Sequence, residues 1–290
     1  MASPARRFAD NAPGDFYVDD ACIDCGTCRR VAPATFAEAR DHSFVEAQPR
    51  SDVELARARM ALVACPVGAI GTVAKHVLSG ARAAFPEPIE DEVHYCGWAS
   101  ERSYGASSYL IVRKAGNVLV DSPRFARPLV DRLENLGGVR HMFLTHRDDV
   151  ADHARFAERF GCQRIMHAND ATGALSNIER MLSGEAPYPI DDDLVIIPTP
   201  GHSPGSACLL YRRRFLFSGD HLAWQPRRQR LYAFRDYCWH DWAVQTQSMR
   251  RLLDHRFEWV LPGHGHAIHL PARQMAAALQ ACVRWMERTR

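Results

Sequence analysis

Apolar residues come in short clusters, separated by polar turns rich in glycine and proline. Ser107-Ser-Tyr-Leu-Ile-Val-Arg113 and Val118-Leu-Val-Asp121 flank Ala115-Gly-Asn117, which predicts a hairpin. Residues 141–145, 164–166, 194–197, 207–211, 215–217 and 259–261 read as further strands. Amphipathic spacing predicts helices over 125–136 and 152–160, the second ending at Gly161, and over 241–255 and 271–287. Nearer the N-terminus, 15–19 and 67–70 read as short strands and 52–63 as a helix. Mixed strands and helices of this kind predict sheets covered by helices on their outer faces. Phe85-Pro-Glu-Pro-Ile-Glu-Asp-Glu92 is acidic and carries two prolines, so it reads as an exposed connection. The polar residues 1–14 read as a disordered lead. The expected divisions are this lead, a small domain at 15–80, a linker at 81–92 and a larger domain at 93–290.

The chain has 290 residues, enough for two domains with sizeable cores. A net charge of +2 argues against a dedicated nucleic-acid or polybasic membrane role. Nearly all basic residues are arginine, with Lys75 and Lys114 the only lysines, a bias read as GC-rich coding rather than anion binding. No apolar run has the length of a membrane span, and no signal-peptide segment is visible, so a cytoplasmic location is expected. There thiols stay reduced, and clustered cysteines imply metal rather than disulfides.

Four of the nine cysteines follow a pattern: Cys22, Cys25 and Cys28, then Cys65 with Pro66 behind it. Two-residue spacers let one loop aim three thiolates at a single cluster, and Gly26 permits the backbone angles this wrapping needs. Cys96, Cys162, Cys208, Cys238 and Cys282 are scattered and read as small buried side chains. These residues resemble a bacterial-type ferredoxin over about 15–75. Where a two-cluster ferredoxin has a further Cys-Pro, this chain has Ala32-Pro33. The resemblance therefore implies a single 4Fe–4S cluster bound by Cys22, Cys25, Cys28 and Cys65, in a small α+β domain capable of electron transfer.

Later, imidazoles and carboxylates gather where predicted strands meet loops: Thr145-His-Arg-Asp-Asp-Val-Ala-Asp-His153, Thr199-Pro-Gly-His202, Ser218-Gly-Asp-His221 and Pro262-Gly-His264. Neutral nitrogen mixed with anionic oxygen suits a pair of metals. In this order the segments resemble the metallo-β-lactamase superfamily, over roughly 93–270. That implies an α/β fold, an αββα sandwich. It also implies His146 and His202 at a first metal, Asp152, His153 and His264 at a second, Asp220 bridging them, and a metal-bridging hydroxide as nucleophile. His221, beside Asp220, is a candidate substrate contact. Trp224, Trp239 and Trp242 are expected in the core.

The family's His-x-His-x-Asp-His is altered here. The second histidine is missing, and Asp148 stands in its place with Asp149 as the next candidate. A carboxylate hardens the first site and shifts preference from zinc toward iron or manganese, as in the flavodiiron branch. About 25 residues follow His264, too few for the helical substrate domain of glyoxalase II-like enzymes. The expected activity is hydrolysis of a small ester, thioester, lactam or phosphoester. The alternative is a di-iron oxidoreductase fed by the cluster through a redox partner, although no flavin-binding domain is visible. A third reading makes the cluster a sensor or a structural staple.

Overall fold

The computed structural model describes residues 2–289. They gather into two compact units, Met1–Arg140 with Ala151–Gly161, and His141–Val150 with Cys162–Arg290.

The first unit opens with β1 (Phe16–Val18), α1 (Thr27–Val31), the hairpin β2 (Phe36–Glu38) to β3 (Ser43–Val45), α2 (Asp52–Ala64) and β4 (Ile70–Thr72). Helix α2 starts where Ser51 Oγ accepts the Glu54 N–H and the Glu54 carboxylate accepts the Arg50 N–H. This reciprocal cap satisfies backbone donors that the first turn leaves over. Ala58, Ala61 and Ala64 are buried small residues that let α2 pack closely. β4 pairs antiparallel with β1, Phe16 opposite Thr72. The strand expected at 67–70 is displaced to 70–72. Gly68 turns with φ +66°, and the Ala69 N–H is drawn to Cys65 Sγ at 3.3 Å.

Residues 2–14 are not the disordered lead their polarity suggested. The Phe8 N–H donates to Val18 O, and the Ala12 N–H donates to Val45 O. The Asn11 amide donates to Phe8 O and Val18 O and accepts from Val18 and Val45. One asparagine thus satisfies backbone groups of β1 and β3 that short strands leave unpaired.

The expected linker is also structured. After α3 (Ser79–Ala83), β5 (Glu87–Glu90) pairs antiparallel with β6 (Val93–Tyr95), followed by β7 (Tyr109–Ile111) and β8 (Val118–Val120). β5 is the edge of this sheet. Proline and charge are tolerated on an edge strand and discourage further pairing, so the features that read as linker are those of a protected edge. The unit closes with α4 (Arg127–Asn135) and α5 (His153–Phe160), the latter ended by Gly161 at φ +61°.

The second unit contains β9 (His141–Phe143), β10 (Gln163–His167) and β11 (Arg180–Leu182), all parallel. Its larger sheet is formed by β12 (Tyr188–Pro189), β13 (Leu194–Pro198), β14 (Ala207–Tyr211), β15 (Phe215–Gly219), β18 (Trp259–Pro262) and β19 (Ile268–His269), in that spatial order. Between β15 and β18 lie the hairpin β16 (Ala223–Gln225) to β17 (Arg230–Tyr232) and helix α6 (Trp242–Arg251). Helix α7 (Ala272–Arg288) ends the chain's regular structure. Every residue of β14 and β15 is buried. Ile197, Leu210 and Leu216 from the sheet pack with Met249 of α6 and Met275, Leu279 and Met286 of α7. This core fixes the strand ends from which the polar residues project.

Candidate metal and cluster sites

In the first unit, Cys22, Cys25, Cys28 and Cys65 line one small cavity with Val18, Ile23 and Ile70. All four are free thiols. Gly26 at φ +71° turns the loop into α1, and Cys65 caps the C-terminus of α2. Burial pushes the Cys28 thiol up to about 12, and burial also raises Cys22 and Cys65. Such thiols ionise only when a cation compensates them. The Ser43 N–H points at Cys22 Sγ and the Ala69 N–H at Cys65 Sγ, at 3.4 and 3.3 Å. Four convergent sulfurs, apolar walls and N–H groups aimed at sulfur fit a 4Fe–4S cluster.

In the second unit, His146 follows β9, His202 follows β13, Asp220 follows β15 and His264 follows β18. His146 Nε2 lies 3.9 Å from Asp148 Oδ2 and 3.8 Å from Asp220 Oδ2. His202 Nε2 lies 3.7 Å from Asp148 Oδ2 and 3.9 Å from Asp220 Oδ2. Donors bound to one ion at about 2.0–2.2 Å sit about 3–4 Å apart. Two overlapping triads bring one donor atom from each residue within 4.8 Å of the others, His146–Asp148–His202 and His146–Asp149–Asp220. Nε2 of His146 and both ring nitrogens of His202 are buried without a hydrogen-bond partner among the described residues. Such atoms cost free energy when left unpartnered, and a metal on one nitrogen of each ring fits that need.

Burial pushes the His146 ring down to about 4, so it is neutral and ready to ligate at neutral pH. Thr145 Oγ1 lies 3.0 Å from His146 Nδ1 and orients the ring with Nε2 forward. Burial opposes the charge of Asp220, yet His264, His146 and His202 together hold its carboxyl well below the usual range. His264 Nδ1 is 2.9 Å from both Asp220 oxygens. A side chain at Gly263 would collide with Asp149 and Asp220, its Cβ falling 2.6 Å from Asp149 Oδ2.

Asp148 is half-exposed. Asp149 is buried, which its polar neighbourhood in the sequence did not signal. Sequence reasoning missed Asp170 altogether. This fully buried carboxylate accepts from the Arg147 N–H at 3.0 Å, from the Gly205 N–H at 2.8 Å and from Ser203 Oγ at 2.5 Å. It ties the loop after His146 to the loop after His202. Its only sequence signal was its place just beyond the strand at 163–167.

His221 is buried, and burial pushes its ring down to about 3. Trp224 is buried, but Trp239, expected in the core, is 60% exposed, and its N–H donates to His202 O. Asp152 and His153 belong to the first unit, at the N-terminus of α5. Asp152 Oδ2 accepts the Phe125 N–H at 2.8 Å, and Arg102 Nη1 reaches Oδ1 at 3.3 Å.

A family model described as the 4Fe-4S single cluster domain of Ferredoxin I matches residues 18–72. A hydroxyacylglutathione hydrolase of Rhizobium meliloti (strain 1021) is 36% identical over 112 residues, 36% of this chain and 41% of that protein. A hydroxyacylglutathione hydrolase of Anaeromyxobacter dehalogenans (strain 2CP-C) is 33% identical over 130 residues, 42% of this chain and 49% of that one. The chain thus spans less than half the length of these curated relatives. Among solved structures, the BLEG-1 B3 metallo-β-lactamase superposes with a TM-score of 0.52 at 18% identity, covering 67% of this chain and 99% of that one. The larger part of the chain has the metallo-β-lactamase fold, as its strand-end motifs implied. A segment similar to single-cluster ferredoxin precedes it.

Proposed function

We propose that the protein is a metal-dependent hydrolase of a small-molecule ester, thioester, lactam or phosphoester, and that its N-terminal segment carries a 4Fe–4S cluster. The observation that carries the reading is the convergence of His146, His202 and Asp220 with buried, unpartnered ring nitrogens. Divalent metals held there would supply Lewis acidity and make water acidic enough to attack at neutral pH. His146 and His202 would bind through Nε2, kept forward in His146 by Thr145. Asp220, which the neighbouring imidazoles hold in its carboxylate form, would be an anionic ligand there, with His264 beside it. Asp152 and His153, which the sequence motif implies as ligands of a second metal, stand at the N-terminus of α5 in the first unit. His221 is a proposed substrate contact. Because the curated relatives are named as hydrolases of an acylglutathione, a thioester leads the substrate classes.

Asp148 supports the second reading, a di-iron oxidoreductase reduced by the cluster, because a carboxylate beside His146 and His202 favours a harder ion. Metal and sulfide analysis of anaerobically purified protein, with electron paramagnetic resonance, separates the two. Hydrolysis predicts about four irons, four sulfides and two zincs per chain, with turnover of acyl thioesters. About six irons and a coupled di-iron signal on partial reduction would replace it with the redox reading.

A further inference from the structure

Two buried hydroxyl groups lie against the cysteine sulfurs, and each is backed by an arginine of α1. The Ser43 N–H points at Cys22 Sγ, and the Ser43 hydroxyl hydrogen-bonds the Cys28 sulfur. The same hydroxyl oxygen accepts from Arg29 Nη1 at 2.9 Å. Arg29 is mostly buried and is fixed by Asp24 Oδ1 at 2.6 Å. A hydroxyl has one proton, so an oxygen that accepts from Arg29 keeps that proton for the sulfur once Cys28 is a thiolate.

Thr27 stands in the same relation to Cys25. The Cys25 thiol donates to Thr27 Oγ1 at 3.3 Å, and Thr27 Oγ1 donates to Gly105 O at 3.1 Å. Arg30 Nη2 donates to both Thr27 Oγ1 and Gly105 O, each at 3.1 Å, and Arg30 Nη1 donates to Cys25 O. Gly105 O therefore has two donors. A Cys25 thiolate has no proton to give. Thr27 can then turn its own proton from Gly105 O to the sulfur while Arg30 keeps that carbonyl satisfied. These bonds of Arg30 end on neutral oxygens, so none of them cancels its charge beside Cys25. Gly105, at φ +80°, presses on Cys25 so closely that a Cβ would fall 2.7 Å from its sulfur.

We propose that Ser43 and Thr27, oriented by Arg29 and Arg30, donate hydrogen bonds to the Cys28 and Cys25 sulfurs and so raise the reduction potential of the cluster. The inference rests on the reading of Cys22, Cys25, Cys28 and Cys65 as cluster ligands. Reduction by a low-potential one-electron donor adds one negative charge to the cluster and its sulfurs. Each hydrogen-bond donor and each nearby cation then holds the reduced form more tightly than the oxidised one. Two hydroxyls and two guanidinium groups act in that one direction. A cluster that served only as a structural staple would gain nothing from the bias, so the arrangement is that of an electron carrier.

The test uses full-length protein reconstituted anaerobically, with iron and sulfide content measured first. The midpoint potential is then read by dithionite titration with redox mediators, followed by electron paramagnetic resonance. Ser43→Ala, Thr27→Val and Arg30→Met should each lower the reduction equilibrium constant about tenfold, a downward shift of about 59 mV for one electron, at wild-type iron and sulfide content. Ser43→Thr and Thr27→Ser keep the hydroxyl and should stay close to the wild-type potential. The three sites are read independently, so a variant that fails to hold iron leaves the decision to the others. Hydroxyl-free variants with full iron content and the wild-type potential would overturn the inference, as would a loaded wild-type cluster that dithionite leaves oxidised. A wild-type chain that takes up no iron and sulfide would instead overturn the cluster reading beneath it.

Discussion

Around Asp220 three imidazoles converge on one carboxylate, and their balance sets what each residue can do. Asp220→Asn keeps the shape but removes the charge that would hold two cations together. Metal content should fall below two per chain and turnover by about 100-fold or more, read by elemental analysis and a thioester assay. His146 gives a pH signature. Burial holds the folded ring near 4, against an ordinary 6.5, so between those values the unfolded chain binds a proton that the folded chain does not. Stability of metal-stripped protein is therefore retained above about 6.5 and lost as pH falls toward 4, on the order of 3 kcal/mol from this group. Melting temperatures of stripped wild type and His146→Asn across that range would show it. A wild-type slope no steeper than the variant's would refute the assignment.

Among the elements, loops rather than strands hold the site together, and Asp170 is their common support. Asp170→Ala leaves the Arg147 and Gly205 N–H groups and the Ser203 hydroxyl without their acceptor. At about 1–3 kcal/mol for each buried orphan, softened by relaxation and water, about 3 kcal/mol should be lost in chemical denaturation. Metal affinity at the first site should fall with it, and Asp170→Asn, which keeps an acceptor oxygen, should cost less. At α2, Ser51→Ala removes the cap and should cost about 1 kcal/mol in the same measurement. These elements show where sequence reading succeeds and stops. Helix α2 was legible because Asp52 to Val63 is an unbroken run without glycine or proline, and β14 and β15 because they are continuously apolar. His146, His202, Asp220 and His264 were legible because each follows a strand, the last three at Gly- or Pro-bearing turns. Asp170 was not, since its partners lie 23, 33 and 35 positions away and none shares a motif with it. The edge strand β5 was misread because proline and glutamate mean the same thing locally in a linker and at the rim of a sheet.

For the whole molecule, the cysteine loops and the sheet from β5 to β8 fall in one compact unit, although composition had suggested a break between them. No helix among the described residues is long and apolar enough to cross a membrane. Removing the proposed cluster should raise amide hydrogen exchange over 22–30, 61–66 and 98–106 together, while β14 and β15 stay protected. Exchange confined to 22–30 would show that the rest of the unit stands without it.

The close approach of Gly105 to Cys25 also bears on how such a chain can change over time. A segment that rests its backbone on another's sulfur is not a detachable cassette. Swapping the first eighty residues for those of a related protein would bring in a loop shaped for a different neighbour. Glycine at 105, threonine at 27 and arginine at 30 would then have to travel as one heritable set. A chimera that carries all three should assemble, and one that carries only the cysteines should not.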